Sequence, residues 1–484
     1  MKIKRGIIAI GILGIIASAF VYSNQPVGQS LPPDGFKIDT LAENLIVPWQ
    51  LTFLPDNSML FTERAGRVRI YRNGKLVVRP VFVVSDVFAD RKTGLLGLCL
   101  HPDFARNKFV YLANNYTDSN RKMRLRVVRY QFGNDTLTNP FTILENIPAN
   151  QNHTGCRLVF GPDKKLYITT GDADQPMQAQ DLKAYNGKIL RVNDDGSIPA
   201  DNPFAKNDTA RKEIWTYGHR NPQGLAFQPG TNILYESEHG PTGGDEINII
   251  EKGANYGWPV IHHQDTRQDM VSPLSEYTPS IGPSEILFYN NKAFPQLQGS
   301  LLVACLRGES ILKIQLVDNK VASQEVLLKK QYGRIRSLVT GPDGYIYFST
   351  SLNDPPEGNG REHYDMILRM RPEGSSNAPL SSTKLAASTD VANQGKKMTP
   401  ALMFQQLCAS CHGDKLQGTE RTKGFINGFQ YGADRASIIR NITNGITEKG
   451  MPAWNGAIRK ADIDGIAAYI INKTQKAPVR KKRY

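Results

Sequence analysis

The sequence predicts a mainly β protein, in which a six-bladed β-propeller is followed by a small all-α domain. A strand motif recurs from residue 35 to residue 371, and the apolar pattern becomes helical from Met398 onward. A chain of 484 residues is also too long for one ordinary hydrophobic core. The expected domains are a propeller at 35–371, a flexible linker at 372–397, a helical domain at 398–475 and a basic tail at 476–484.

The recurring motif is an apolar segment that ends in a turn with Pro or Pro-Asp and is followed by a strand of bulky residues. The five clear instances start at Leu51, Leu98, Leu158, Leu225 and Leu338. A degenerate sixth is expected at 299–305 together with 311–316. The spacing of roughly 40 to 75 residues suits four-stranded blades joined by long loops. A β-sandwich is the alternative, but six similar units favour radial repetition.

The C-terminal region has a different composition and a different period. Residues 372–397 are rich in Ser, Ala, Asn, Thr, Gly and Pro and carry no core pattern, which is typical of a linker. Helical periodicity then predicts three short helices, at 400–407, 434–442 and 460–471. The second domain is therefore expected to be small and entirely helical.

The N-terminus has the features of a targeting segment. Met1–Arg5 is positively charged, and Gly6–Tyr22 is uncharged and mostly apolar. Residues 1–23 are therefore predicted to be a signal peptide, cleaved near Ala17-Ser-Ala19, or an uncleaved membrane anchor. In both cases the body of the protein is expected in the periplasm or another exported compartment, with a possible tether to the inner membrane.

The net charge and the cysteine content give two further expectations about partners and thiols. The formal net charge is +14, part of which comes from the basic chain ends, and no nucleic-acid motif accompanies it. No nucleic-acid partner is expected. Cys99, Cys156 and Cys305 lie in apolar, strand-like segments and are predicted to be buried thiols, with one disulfide among them as the alternative.

The remaining two cysteines form a C-x-x-C-H motif, Cys408-Ala-Ser-Cys411-His412, which is the attachment signature of a c-type haem. Two thiols on one helical turn can add to the two vinyl groups, and the following imidazole can bind the iron. A zinc site would need further ligands nearby, and a thioredoxin-like dithiol would need a βαβ setting. Neither is present in the sequence, so covalent haem c is the predicted cofactor.

Met451 is the candidate for the sixth iron ligand. It lies in Gly450-Met451-Pro452, downstream of His412 and just before the last predicted helix. A lone methionine is more often a core residue, but the flanking Gly and Pro favour a ligand-bearing loop. Ligation by His and Met raises the reduction potential and suits electron transfer. With these motifs, the second domain resembles class I cytochrome c over roughly its whole length.

A polar turn with one histidine is the main candidate for chemistry in the propeller. Residues 150–158 contain His153 and lead directly into a predicted strand, a Gly-Pro-Asp turn and a second strand. This position at the mouth of a strand can aim an imidazole at a ligand. The alternative is a histidine that is satisfied by neighbouring backbone groups.

Three further segments carry a family resemblance. They are Tyr217–Phe227, with Tyr-Gly-His-Arg-Asn-Pro, Ser237–Asn248, with Glu-His-Gly-Pro, and Gly253–Pro259, with Asn-Tyr-Gly-Trp-Pro. Through these motifs the chain, from about Phe36 to Arg371, resembles the soluble quinoprotein glucose and aldose sugar dehydrogenases of the glucose/sorbosone dehydrogenase family. The resemblance implies a six-bladed propeller that binds pyrroloquinoline quinone and calcium.

Several cationic residues suit a quinone with three carboxylates. Arg334 and Arg336 flank one residue and therefore point to the same side of a strand, and guanidinium groups bind carboxylates in a forked geometry. Each arginine alone is more often a surface charge. The resemblance implies that Arg334, Arg336 and Arg307 hold the quinone, with lysine usual at the last position. Arg220 and Asn221 are also assigned to the site, as is Lys92, where a glutamine is expected.

Calcium prefers hard oxygen ligands. The resemblance implies that the backbone carbonyls of Gly240 and Pro241 hold the calcium that touches the quinone. Glu246 and Tyr256 match a second, structural calcium site, although acidic loop residues are more often simply solvated.

The predicted activity is an exported dehydrogenase that oxidises an aldose sugar or a sugar aldehyde. His153 takes the proton of the anomeric hydroxyl while hydride passes to the quinone, and Arg220 and calcium stabilise the developing charge. The electrons then pass one at a time to the haem, through a mobile linker, and on to a respiratory acceptor. Asn152 replaces an aspartate that is frequent in glucose-oxidising relatives, and this leaves the sugar open.

Two alternatives remain. The propeller could be a non-catalytic module that binds carbohydrate or protein while the cytochrome serves another partner. The enzyme could also act on a sorbosone-type aldehyde rather than an aldose.

Overall fold

The computed structural model describes residues 35–352, 365–382 and 399–475, except 420–421, 447–448, 450, 452–453 and 455–457. The predicted leader 1–23 and the tail 476–484 lie outside this range. The strands are β1 Phe36–Leu45, β2 Pro48–Phe53, β3 Met59–Glu63, β4 Arg67–Arg72, β5 Lys75–Leu76, β6 Phe82–Val83, β7 Leu95–Leu100, β8 Phe109–Thr117, β9 Met123–Gly133, β10 Thr136–Pro148, β11 Leu158–Phe160, β12 Leu166–Thr170, β13 Lys188–Val192, β14 Ile214–Tyr217, β15 Pro222–Phe227, β16 Leu234–Glu238, β17 Asp245–Ile250, β18 Ser275–Tyr277, β19 Pro283–Phe288, β20 Leu301–Cys305, β21 Ser310–Val317, β22 Lys320–Leu327, β23 Ile335–Thr340, β24 Ile346–Thr350 and β25 Asp365–Pro372. The α-helices are α1 Phe104–Asn107, α2 Pro400–Leu407, α3 Ala409–His412, α4 Arg435–Asn444 and α5 Lys460–Gln475.

The strands form six antiparallel sheets, which are the six blades of the predicted propeller. Five blades use consecutive strands, whereas the sixth has the order β1-β25-β24-β23. In that blade Phe36 pairs with Pro372 and Leu45 pairs with Asp365. The first strand of the domain therefore completes the last blade and closes the ring.

The repeated motif marks the inner strand of five blades, but the prediction for the remaining blade was wrong in one respect. Residues 299–305 and 311–316 correspond to β20 and β21, the second and third strands of their sheet. The inner strand there is β19, whose end at Phe288 is followed by Tyr-Asn-Asn rather than Pro-Asp. The missing turn signal explains why the sequence pattern slipped by one strand.

Buried polar side chains line the axis where the inner strands meet. Arg157 Nη1 lies 3.1 Å from Glu285 Oε1, and its guanidinium lies 4.3 Å from the Trp49 ring centroid. Glu285 also accepts hydrogen bonds from Ser337 Oγ and from Gln50 Nε2. These contacts tie four different inner strands together and give the axis a fixed floor.

The first part of the predicted linker is packed on the propeller. Arg369 donates to the carbonyl oxygens of Asn377 and Ala378, at 2.9 Å each. Ser382 N–H donates to Asn73 Oδ1 at 2.6 Å. Residues 373–382 therefore follow the surface of the ring, and the rest of the predicted linker, 383–397, lies outside the described residues.

The C-terminal domain contains the three predicted helices as α2, α4 and α5, and α3 carries the C-x-x-C-H motif. Thr399 caps α2 and Asp434 caps α4, each through a side-chain oxygen that accepts a backbone N–H. No disulfide joins Cys99, Cys156 and Cys305, so that alternative is wrong; Cys156 and Cys305 are buried as predicted, whereas Cys99 is half-buried. Among the described residues, no helix combines the length and the apolar character needed to cross a membrane.

Candidate active site

A cavity of about 420 Å³ opens where the six inner strands begin, at their N-terminal ends. We call it the axial cavity. Every blade contributes to its wall, which contains these residues: Trp49, Lys92, His153, Thr154, Gly155, Arg220, Asn221, Gln223, His239, Gly240, Asp245, Ser280, Gly282, Leu306, Arg307, Arg334 and Arg336. The structure thus brings most of the predicted propeller residues into one hollow. Five lysine or arginine side chains face one carboxylate there, so the wall is strongly positive.

His153 is held by a carboxylate that the sequence analysis did not assign. Its Nδ1 lies 2.7 Å from Asp172 Oδ1 and 3.4 Å from Asp174 Oδ1. Asp172 is fully buried, and its other oxygen accepts a hydrogen bond from Trp258 Nε1 at 2.8 Å. The contact engages Nδ1 and leaves Nε2 as the nitrogen available to the cavity.

The backbone around His153 is under steric constraint. His153 has φ +48°, a conformation that non-glycine residues rarely adopt. A Cβ at Gly171 would lie 2.0 Å from the carbonyl oxygen of His153, so only glycine fits under this turn. The segment between β12 and Asp172 can therefore approach the histidine closely, which fixes the pair.

Arg220 lies on the same wall as His153. Its Nη1 donates to the carbonyl oxygen of His239 at 3.0 Å, and its guanidinium lies 5.2 Å from the Trp258 ring centroid. Its Nε is buried and has no hydrogen-bond partner in the structure. Burial lowers the pKa of Arg220 below that of a free guanidinium, while the carboxylate of Asp172 opposes the shift. The side chain is thus a desolvated cation beside the candidate base.

The other cations come from different blades of the ring. Arg334 Nε donates to the carbonyl oxygen of Ser351 at 3.1 Å, and Arg336 Nε donates to the hydroxyl of the same residue at 3.0 Å. As the alternation of the strand predicts, both line the axial cavity. Arg307 and Lys92 line it as well, on separate blades.

The predicted calcium loop follows β16. Gly240 lines the axial cavity, and its N–H donates to Asp245 Oδ1 at 3.0 Å. Asp245 Oδ2 accepts hydrogen bonds from Ser280 and from the backbone of Gly282. The carbonyl oxygens of Gly240 and Pro241 accept no hydrogen bond from any residue that the structure describes. Two unpaired carbonyls next to a buried carboxylate fit a calcium ion.

Glu246 belongs to a buried acidic cluster behind this loop. Asn248 Nδ2 donates to Glu236, Glu238 and Glu246, at 3.0, 3.4 and 3.1 Å. Burial, together with the charge of Glu238, raises the pKa of Glu236 and of Glu246 well above that of an ordinary carboxyl group. Buried carboxylates in such numbers need protons or a cation.

Tyr256 stands beside the cluster, but its phenol is already engaged. Its hydroxyl donates to the carbonyl oxygen of Ile249 at 2.6 Å, and its ring stacks on His219 at 4.7 Å. His219, Glu236 and Glu238 offer one ligand atom each within 4.8 Å of one another. A second cation is therefore better placed among the carboxylates and His219 than at the Tyr256 hydroxyl.

A second cavity of about 580 Å³, which we call the haem chamber, lies in the helical domain. Its wall contains Cys408, Cys411, His412 and Met451, the four residues predicted to hold haem. The rest of the wall from this domain is mostly apolar or aromatic, with Phe425, Phe429, Trp454 and several isoleucines among its residues.

His412 has the properties of an iron ligand. Its ring stacks on Phe425 at 4.4 Å, and its Nδ1 is buried without a hydrogen-bond partner in the structure. Burial lowers the pKa of His412 to about 4. The imidazole is therefore neutral at physiological pH, as metal ligation requires.

Asp172, Trp258 and Asp245 are the site residues that the sequence analysis left unassigned. Asp172 lies two residues after the end of β12, and Trp258 and Asp245 lie in the segments Gly253–Pro259 and Ser237–Asn248. An acidic residue just beyond the end of a predicted strand was the available signal for Asp172. Its pairing with His153 depends on the spatial crossing of two strand ends, which spacing alone does not encode.

Two family models match the chain. The model described as Glucose / Sorbosone dehydrogenase matches residues 45–359, and the model described as Cytochrome C oxidase, cbb3-type, subunit III matches residues 395–470. The chain is 38% identical over 336 residues to the aldose sugar dehydrogenase YliI of Escherichia coli (strain K12), with 66% of this chain and 91% of that protein covered. It is 39% identical over 409 residues to quinoprotein glucose dehydrogenase B of Acinetobacter calcoaceticus, with 65% of this chain and 85% of that protein covered.

A solved structure agrees with these matches. The PQQ-bound aldose sugar dehydrogenase of Streptomyces coelicolor superposes with a TM-score of 0.61 and is 31% identical. The match covers 71% of this chain and all of that one.

Proposed function

Because the chain belongs to the glucose/sorbosone dehydrogenase family and carries a cytochrome c domain, we propose that it is a quinoprotein sugar dehydrogenase that passes electrons to its own haem. The single observation that carries the proposal is the axial cavity. There a carboxylate-oriented histidine, His153, lines the same cavity as five cationic side chains.

The cavity fits pyrroloquinoline quinone, a planar tricarboxylate. Its positive wall matches three carboxylates, and forked guanidinium groups bind carboxylates with two hydrogen bonds. We assign this role to Arg334, Arg336 and Arg307, with Lys92 and Asn221 as further polar contacts. When bound, the quinone supplies a two-electron hydride acceptor. The PQQ-bound relative from Streptomyces coelicolor supports this choice of cofactor.

His153 is the proposed general base. Asp172 fixes Nδ1 as the protonated nitrogen, so Nε2 carries the lone pair that accepts the proton of the sugar hydroxyl. The same carboxylate stabilises the imidazolium that this transfer creates. Arg220, a desolvated cation on the same wall, stabilises negative charge that develops in the cavity.

Two cations complete the proposed site. The carbonyls of Gly240 and Pro241 hold a calcium ion at the edge of the axial cavity, and a second calcium lies at the acidic cluster with Glu246. We assign Tyr256 to the second site only through its position beside the cluster, since its hydroxyl is engaged with Ile249.

The substrate is proposed to be an aldose or a sugar aldehyde, because the two relatives are named as an aldose sugar dehydrogenase and a quinoprotein glucose dehydrogenase. Cys408 and Cys411 attach the haem, and His412 and Met451 bind its iron. A downstream respiratory carrier is the proposed acceptor that reoxidises the haem. We place this activity in the periplasm, as the composition of residues 1–23 suggests.

The test uses the full chain, with haem attached and loaded with pyrroloquinoline quinone and calcium. A panel of aldoses and sugar aldehydes is added in the absence of oxygen, and the haem spectrum is followed. Reduction of the haem by at least one sugar is expected, and a His153→Gln variant should fail to show it. An unchanged oxidised spectrum with every member of the panel would reject the proposal.

A further inference from the structure

The two domains share one apolar core cluster. Ile46 and Ala65 belong to the propeller, yet they pack in the same cluster as Met403, Phe404 and Trp454 of the helical domain. Ile46 is 2% exposed and Ala65 is 1% exposed. Burial of this kind stabilises an interface in proportion to the apolar area removed from water. The helical domain is therefore seated against the blade formed by β2 to β6, which we call the first blade.

A buried charged cluster lies at the same place. Glu63 Oε2 lies 2.8 Å from Arg67 Nη2 and 3.0 Å from Arg69 Nη1, with all three side chains nearly inaccessible to solvent. The guanidinium of Arg67 in turn lies 5.9 Å from the Trp454 ring centroid, across the domain boundary. Burial lowers the pKa of Arg67 to about 10, so it stays charged at neutral pH.

The propeller also supplies part of the haem chamber. Phe82 and Val83, which form β6, line the chamber together with Ser85. The chamber is thus incomplete without the first blade, and its propeller side lies next to the contact made by Ala65 and Arg67. We call Ile46, Ala65, Arg67, Phe82, Val83 and Ser85 together the docking surface.

One short segment connects the docking surface with the axial cavity. Lys92 lines that cavity, and three residues later Leu95 N–H donates to the carbonyl oxygen of Arg64 at 2.8 Å. Gly94 makes the approach possible, because a Cβ there would lie 2.2 Å from the same oxygen. Arg64 directly precedes Ala65. The path from the axial cavity to the docking surface therefore consists of the four residues Lys92–Leu95, the hydrogen bond from Leu95 to Arg64, and the peptide unit between Arg64 and Ala65.

We propose that the helical domain works in this docked position, and that electrons cross from the axial cavity to the haem through the contact between Lys92–Leu95 and Arg64–Ala65. The inference rests on the proposed function for the source of the electrons. The sequence analysis expected the helical domain to move on a mobile linker between electron transfers. The docked arrangement instead lets electrons pass between two domains in fixed contact. Arg67 is a positioning residue, because Glu63 holds its guanidinium against the Trp454 ring of the helical domain.

The electron count sets what else is needed. Each sugar oxidised to its lactone releases two electrons and two protons. The haem iron takes one electron at a time, so an external one-electron acceptor must reoxidise it between the two transfers. The protons leave to solvent by way of His153.

The test places a charge in the docking surface. In full-length haem protein, Ala65→Glu buries a carboxylate in the apolar contact, and Ala105→Glu makes the same change on the exposed helix α1 as a control. Hydrogen exchange is first measured without quinone. Ala65→Glu is expected to lower the protection of residues 64–67 and 82–85, because their backbone hydrogen bonds within the propeller open more readily once the helical domain no longer covers them. Ala105→Glu is expected to leave that protection unchanged. Val83→Glu, which lies on the short strand β6 and spares the core of the blade, is expected to lower the same protection.

Haem reduction by sugar is then measured in the quinone-loaded protein. Ala65→Glu is expected to slow haem reduction by at least about tenfold, while sugar oxidation with a small diffusible dye stays within about twofold, since the axial cavity is intact. Unchanged exchange in both variants would overturn the docked position. Lost protection with unchanged haem reduction would overturn the route. If even the unmodified protein reduces no dye with any sugar, the proposed function fails, and the exchange result still decides the docking.

Discussion

Asp172 Oδ1 lies 2.7 Å from His153 Nδ1, on a carboxylate that is fully buried and also held by Trp258. This relationship defines which imidazole nitrogen faces the axial cavity. Asp172 also supplies a negative charge beside the imidazole, which the neutral amide of Asn152 does not. The Asn152 side chain donates a hydrogen bond to Asp174 at 3.1 Å.

Replacement of Asp172 with Asn should therefore impair proton transfer rather than sugar binding. The amide no longer stabilises the imidazolium, and kcat is expected to fall by about 10²–10⁴-fold with KM nearly unchanged. Asp174→Asn is the matched control, because that carboxylate is farther away at 3.4 Å and partly exposed. Steady-state kinetics with a dye acceptor distinguish the two variants, and equal kcat values would contradict the role of Asp172.

Replacement of Arg336 with Met should weaken quinone binding. The variant keeps an apolar stem but removes the charge and, with it, the guanidinium contact to the Trp49 ring at 5.5 Å. The loss of a hydrogen bond to a charged group costs about 1.5–3 kcal/mol. The dissociation constant is expected to rise by roughly 10- to 100-fold. Calorimetric titration of the calcium-loaded protein measures this, with the exposed Arg267→Met as control. A dissociation constant within about twofold of that of the unmodified protein would show that Arg336 does not bind the quinone.

The acidic cluster should make calcium stabilisation depend on pH. Because the pKa values of Glu236 and Glu246 are raised in the folded protein, these groups still hold protons where the unfolded chain has lost them. Their contribution to stability is complete below the ordinary carboxyl pKa, and it is lost as pH rises through the raised values. Calcium bound at the cluster replaces those protons, so its stabilising effect should grow with pH.

Thermal unfolding at several pH values, with calcium or with a chelator, measures this effect. Glu236→Gln should lessen the loss of stability at high pH in the chelated protein, and the exposed Glu145→Gln should not. A calcium-induced shift of the same size at every pH would show that the cluster does not bind the ion.

Replacement of Met451 with Leu should change the haem without releasing it. The covalent bonds from Cys408 and Cys411 still hold the haem, but the iron loses its sulfur ligand from Met451. The midpoint potential of the haem is therefore expected to fall. Met403→Leu is the control, because Met403 is a buried core residue that does not line the haem chamber. Redox titration followed by absorbance compares them. An unchanged potential in Met451→Leu would mean that another side chain binds the iron.

The ion pair at the propeller axis should contribute much more to stability than one at the rim. Glu285→Gln leaves the buried Arg157 without its counter-charge, at a cost of about 3–5 kcal/mol. Glu325→Gln breaks the exposed pair with Lys313 and should cost only about 0–1 kcal/mol. Urea unfolding of both variants tests the difference, and similar midpoints would show that the axis network is not structural.

The sequence predicted the propeller well because each inner strand carries its own local signal. Where that signal is missing, as after Phe288, the prediction moved to the wrong strand. The cytochrome c domain was predictable for the same reason, since the motif with Cys408, Cys411 and His412 lies within five consecutive residues. Other contacts join segments that are separate in sequence. They are the pairing of His153 with Asp172, the contact of Arg67 with Trp454 and the packing of residues 373–382 on the propeller. No periodicity encodes such contacts.

The closure of the ring by β1 and β25 has a consequence for how the chain is made. The blade that contains Phe36 lacks its outermost strand until that residue meets Pro372, more than three hundred residues later. Until then, β25 would present a row of unpaired backbone groups to any passing strand. The growing polypeptide is therefore most prone to aggregate just before its last blade is sealed, and a truncation that removes Phe36–Leu45 would make that vulnerable edge permanent.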